Sequence, residues 1–209
     1  MIPAKAAAVI ALVKALLPVY WPGHPMPDAL PAQAEQESCV SLTARLCMDP
    51  TIENHAPRNN GEIGVGVFQL TKTNSFDNFA AARKLAPELK GWTWADRHDL
   101  RKQVVAGMLM DKANYSACSR WMTNARESYA CALSAYNGGL GGVMADRRLC
   151  SNTKGCDPAK WFGGVAQVST KGKKPLSGYA KSAYQINREY VENIINVRRP
   201  RYTPYFEKE

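Results

Sequence analysis

Apolar positions at helical spacing mark the start of the chain. Val9, Ile10, Val13 and Leu17 share one face of a helix expected over 5–17, which Pro18 should end. "WPGHPMP" (21–27) reads as a rigid connector, and a second helix is expected from Pro27 or Asp28 to about Val40. Residues 41–62 show no period and read as irregular, with "NNG" (59–61) as a turn. In "GEIGVGVFQL" (61–70), Val65 and Val67 alternate with glycines, predicting a short extended element over 63–70 where backbone approaches something closely. Leu100, Val104, Met108 and Tyr115 form the buried stripe of a helix over 93–115, with Thr93 and Asp96 as its capping pair. Tyr129, Leu133 and Tyr136 share a face of another, over 125–139, stopped at Gly138. Residues 141–176 read as basic loops. Ser177 is expected to cap a last helix reaching Arg198, with Ala183, Asn187, Tyr190, Ile194 and Val197 on one face. The pattern predicts a mainly α protein with a small β element, in one domain over 1–209.

Composition changes the picture in two ways. The 209 residues carry a formal net charge of +9, with basic clusters at 171–174 and 198–201 read as solvated faces. A basic surface draws anionic partners, but neither zinc-finger spacing nor an aromatic RNA-binding signature is present, so nucleic acid is not the expected partner. Six cysteines, Cys39, Cys47, Cys118, Cys131, Cys150 and Cys156, lie at short spacings. Local pairing, 39–47, 118–131 and 150–156, is the simplest of the possible connectivities, with buried free thiols as the alternative. Zinc fits poorly, because no Cys-x-x-Cys occurs and His24, His55 and His98 lie apart, so no metal site is expected. Disulfides imply an oxidising working compartment. The apolar run 6–21 is interrupted by Lys14 and Pro18, so no membrane span is expected. A leader cleaved after Ala32-Gln33-Ala34 is disfavoured, since that site lies far beyond the apolar stretch 6–13 and cutting there removes the second helix.

Four short segments carry the candidate chemistry: Glu37-Ser38 near a helix end, Gly66 to Leu70 in the extended element, Ala135 to Gly138 closing a helix, and Tyr190-Val191 in the last helix. Each is weak alone. In this order and on these elements they resemble the soluble lytic transglycosylases and goose-type lysozymes of glycoside hydrolase family 23, over roughly 20–200. The N-terminal helix and its "YWP" connector look like those of phage-encoded members. One departure is plain: 26 residues separate Ser38 from Val65, and the second motif reads Gly-Val-Phe-Gln.

The resemblance implies a lysozyme-like fold and cleavage of the MurNAc–GlcNAc bond of peptidoglycan, with Glu37 as general acid/base and no cofactor. Leu30, on the same helical face, and Val40 just beyond are expected to give Glu37 an apolar setting, whereas Glu35 is expected to be solvated. Gly66 and Gln69 would line the sugar groove, or else form a plain hairpin. Tyr136 and Asn137 would meet the sugar, or else serve as core packing and a helix cap. Tyr190 would steady Glu37, or else be a core aromatic, and Ser38 would support the site rather than attack. A hydrolase needs a second carboxylate. Asp49, Glu53 and Glu62 lie in the long loop, Glu62 best placed. Without one, the sugar's acetamido group assists and a 1,6-anhydro product forms. A phage lysin acting as a monomer in the host periplasm or from the virion is the expected context, with peptidoglycan strands and anionic outer-membrane surfaces as partners. A non-catalytic wall-binding or tail protein is the alternative.

Overall fold

The computed structural model describes residues 2–55, 61–74, 77–176 and 180–207. The protein is mainly α, with one small antiparallel sheet. It divides into two compact units, Met1–Met110 with Asn196–Glu209, and Asp111–Ile195.

In the first unit, α1 (Ala4–Tyr20) buries Ala6, Val9, Ile10, Val13 and Leu16 and packs on α2 (Ala29–Ser38). Pro18 lies inside α1 instead of ending it. Proline forfeits its own N–H and crowds the carbonyl four residues back, but the bonds after it can still form, and the Trp21 amide donates to the Leu17 carbonyl at 2.9 Å. Helix α2 is unusual in being buried nearly all round: Ala29 to Glu35 and Ser38 are all enclosed. A helix enclosed on every side must bury its polar positions too.

Strands β1 (Glu53–His55), β2 (Ile63–Val65) and β3 (Leu70–Lys72) form the sheet in that order, with Glu53 opposite Val65 and Val65 opposite Leu70. β1 falls in the stretch expected to be irregular; three residues are too few for alternation to show. The short helix α3 (Asn78–Ala82) follows, capped by Asp77. Helix α4 runs over Leu100–Cys118. The expected start at Thr93 is corrected: Trp94–Asp96 is a separate 3₁₀ turn, and the Thr93 hydroxyl donates to Asp96 Oδ2 at 2.8 Å instead of capping. Asp99 caps α4 by accepting from the Lys102 amide at 3.1 Å.

In the second unit, α5 (Ala125–Gly138) begins at the Asn124 cap and ends where Gly139 turns left-handed at φ 82°. Helix α6 (Leu140–Ser151) occupies a stretch expected to be loop. Its glycines fall in the first turn, and Val143, Asp146 and Cys150 supply a buried face. Helix α7 is Ala183–Glu192, with Ser182 and Gln185 as a complete capping box; the expected cap, Ser177, lies outside the described residues. A π-turn over Asn193–Arg198 widens the spiral, which is why Val197 leaves the expected face and is 55% exposed.

All six cysteines pair locally, as Cys39–Cys47, Cys118–Cys131 and Cys150–Cys156. Such short loops are worth roughly 2–4 kcal/mol each in the chain-entropy view. No described helix is long and apolar enough to cross a membrane.

Candidate functional site

The last turn of α2 carries two carboxylates with opposite fates. Glu37 is half-buried. Glu35, expected to be solvated, is instead only 5% exposed. Its Oε2 accepts from the Tyr202 hydroxyl at 2.7 Å, its Oε1 is paired with Arg201, and Arg198 lies 3.7 Å from that same oxygen. Burial first, and then Glu35, push the Tyr202 phenol far above its usual range, so it stays a neutral donor. The hydrogen bond to Glu35 likewise raises Arg201. The sequence signal is Arg201, the last residue of the 198–201 cluster read as a solvated face, followed directly by Tyr202. Val40 does not supply the expected apolar neighbour for Glu37, since it is 98% exposed.

Ser38 ties this helix end to the loop that follows. Its hydroxyl donates to the Ala34 carbonyl at 2.6 Å and accepts from the Met48 amide at 3.1 Å. The adjacent Cys39–Cys47 bridge closes the same junction covalently. The loop then reaches the sheet, where the Gly66 amide donates to the Ile52 carbonyl at 2.8 Å. The Glu-Ser and Gly-Val-Phe-Gln motifs are therefore joined through residues 47–52.

The second motif is a tight turn built on a residue the sequence did not single out, Gln103. It is fully buried; its Oε1 accepts from the Val67 amide at 3.0 Å, and its Nε2 donates to the carbonyls of Pro50 at 2.8 Å and Arg97 at 2.7 Å. Gly66 has φ 74°, and a Cβ there would stand 2.1 Å from the Gln103 amide. Gln69 has φ 45°; its side chain folds back, donating to the Gly66 carbonyl at 2.9 Å and accepting from Asn54 at 2.9 Å.

The three candidate second carboxylates separate. Burial raises the Asp49 pKa, but hydrogen bonds from Lys5 (2.5 Å) and Thr51 (2.8 and 2.6 Å) outweigh it and bring the group down to about 2. Glu53 is lowered by its hydrogen bond from Arg97 at 2.6 Å, against burial, with His98 at 2.9 Å adding to the effect. Glu62 is half-buried immediately before β2.

In the second unit, Asn187 of α7 joins the other two motifs. Only 1% exposed, it donates to the Ser134 carbonyl and to Asn137 Oδ1, each at 3.0 Å, and accepts from the Ser134 hydroxyl at 2.7 Å. Asn137 is exposed, Tyr136 half-buried, and Tyr190 4% exposed. The Lys171 amine donates to the Gly138 carbonyl at 3.2 Å, and burial lowers its pKa. Behind it, Asp146 is 1% exposed and held by Arg188 (2.7 Å), the Thr170 amide (2.7 Å) and the Ser169 hydroxyl. His24, in the first unit, is driven by burial down to about 3 and stays neutral. No protein-family model matches the chain, and a search of curated proteins finds no match.

Proposed function

We propose that this chain cleaves the β-1,4 bond between MurNAc and GlcNAc in peptidoglycan, with Glu37 as general acid and then base. The observation that supports it is the division of labour at the end of α2. Both oxygens of Glu35 are committed inside the protein, while Glu37 on the same turn keeps solvent access and stands on a helix end braced by Ser38 and Cys39–Cys47. A group that must give a proton to a bound glycosidic oxygen needs that combination of access and rigid support.

Protonated Glu37 donates to the departing glycosidic oxygen. The 2-acetamido carbonyl oxygen of MurNAc attacks C1 as the C1–O bond breaks, and the proton gained by the leaving sugar is the one Glu37 loses. Glu37, now a carboxylate, takes the proton of the MurNAc 6-hydroxyl, whose oxygen displaces the acetamide from C1. The product is 1,6-anhydro-MurNAc, and Glu37 ends protonated as it began. On this reading, Gly66 and Gln69 of the first unit line the glycan groove and Ser38 supports Glu37 from within, while the roles of Tyr136, Asn137 and Tyr190 in the second unit rest on the family resemblance alone. No metal or organic cofactor is called on. The three disulfides favour action in an oxidising compartment, the host periplasm or a virion outside the cell, in phage-mediated lysis.

Hydrolysis is the second reading. It draws on Glu62, which is half-buried and immediately precedes β2 and the second motif. Mass spectrometry of muropeptides released from purified peptidoglycan tests both. Products ending in 1,6-anhydro-MurNAc are expected, and Glu37→Gln, folded as judged by its melting temperature, should release none. Reducing-end MurNAc lost in Glu62→Gln would establish hydrolysis. No release by the unaltered protein would leave a wall-binding protein without turnover.

A further inference from the structure

Asp28 and Glu35 stand seven residues apart in and beside α2, two helical turns, and so share one face of it. Both are buried, at 4% and 5% exposure. The segment 199–203 engages the two in alternation. Arg199 Nε donates to Asp28 at 2.8 Å and the Thr203 hydroxyl donates to it at 2.7 Å. Arg201 and the Tyr202 hydroxyl engage Glu35, and the Tyr202 ring is fully buried. A segment far along the chain is thus fastened to the whole length of the helix that ends in Glu37-Ser38.

The two fastenings differ in where they act. Asp28 precedes the first turn of α2. Glu35 lies in the last turn, where its own carbonyl accepts the closing bond from the Cys39 amide at 3.0 Å. A last turn has no following turn to hold it and frays unless something else does. Residues 35 and 37 are separated by about 200° around the helix axis. Holding Glu35 on the inner side therefore sets the direction in which Glu37 projects on the other. Ser38 and Cys39 pin the turn from the loop side.

We infer that Glu35, with Arg201 and Tyr202, is a positioning device for Glu37, so that these two side chains aim the acid, whereas Arg199 and Thr203 only fasten the start of the helix through Asp28. This rests on the reading of Glu37 as the general acid/base. An acid misaimed by a fraction of an ångström still allows substrate to bind but slows proton transfer, so the effect belongs in kcat rather than KM.

The test is steady-state kinetics on soluble, uncrosslinked peptidoglycan strands, with melting temperatures measured alongside. Glu35→Gln and Tyr202→Phe should lower kcat at least tenfold with KM within twofold. Asp28→Asn removes a carboxylate from the same face at the far end of the helix. It should lower the melting temperature comparably yet keep kcat within twofold. If Glu35→Gln does not fold, Tyr202→Phe, which removes one hydroxyl, decides alone. A kcat within twofold of the unaltered protein in the folded variants, or an equal loss in Asp28→Asn, overturns the inference while leaving Glu37 in place. Absence of turnover in the unaltered protein overturns the reading beneath it, and the inference with it.

Discussion

A methyl group added at position 66 has nowhere to go. Gly66→Ala combines a left-handed backbone with a Cβ 2.1 Å from a buried amide that already holds three backbone groups. A destabilisation of about 2–4 kcal/mol is expected from strain and overpacking together, read as a drop in the midpoint of urea unfolding. Gln103→Leu should be comparably harmful, since it leaves the Val67 amide and two carbonyls unpaired in the interior. His24 gives a pH effect of definite sign. Its pKa is lowered from 6.5 to about 3, so between those values the unfolded chain binds more protons than the folded one. Stability from this residue is therefore full above pH 6.5 and is lost as pH falls toward 3. The melting temperature should decline across that window, and His24→Gln should make the decline shallower; an unchanged slope would mean that other groups carry it. At this scale the candidate acid was legible in sequence, but its neighbour was not. Glu35 looks like any helix carboxylate until the all-round burial of α2 and the distant Arg201-Tyr202 pair come into view.

Among the elements, the junction between α2 and residues 47–52 is tied twice over, because covalent and hydrogen-bonded links act there side by side. Cys39→Ser with Cys47→Ser should lower stability by roughly 2–4 kcal/mol. It should also depress muropeptide release more than the matching pair at Cys150 and Cys156, which closes the end of α6. Equal loss in the two double variants would show that the bridges act on stability alone. The cysteine pairing and the helices with strong apolar stripes could be read directly, because short-range covalent geometry and a period of 3.6 leave marks in a short window. Other elements left no such mark. Helix α6 opens with two glycines and buries an aspartate, Asp146, whose partners lie in 169–170 and 188. The π-turn after α7 carries no local signal and moves Val197 off the face its spacing assigns. Strand β1 exists because β2 pairs with it, not because its three residues prefer to be extended.

Across the whole molecule the excess of basic residues is not consumed internally. Asp28, Glu35, Asp49, Glu53 and Asp146 are each matched to at least one cation, but the 27 basic residues outnumber the 18 acidic ones and leave a net charge of +9. A field of that sign raises the local concentration of a polyanion and speeds encounter without touching the chemical step. Peptidoglycan strands bearing stem-peptide carboxylates are such a polyanion, whereas oligomers of N-acetylglucosamine are neutral. Screening shortens the reach of the field from about 10 Å at 0.1 M salt to about 3 Å at 1 M. Raising salt across that range should therefore raise the apparent KM for peptidoglycan strands severalfold while kcat holds. Binding of a neutral oligomer, followed by calorimetry, should be nearly unaffected. If both ligands respond alike, salt is acting on the fold or on the site itself. If neither responds, the basic surface faces something other than the glycan, and an anionic lipid surface becomes the partner to test with vesicles of lipopolysaccharide.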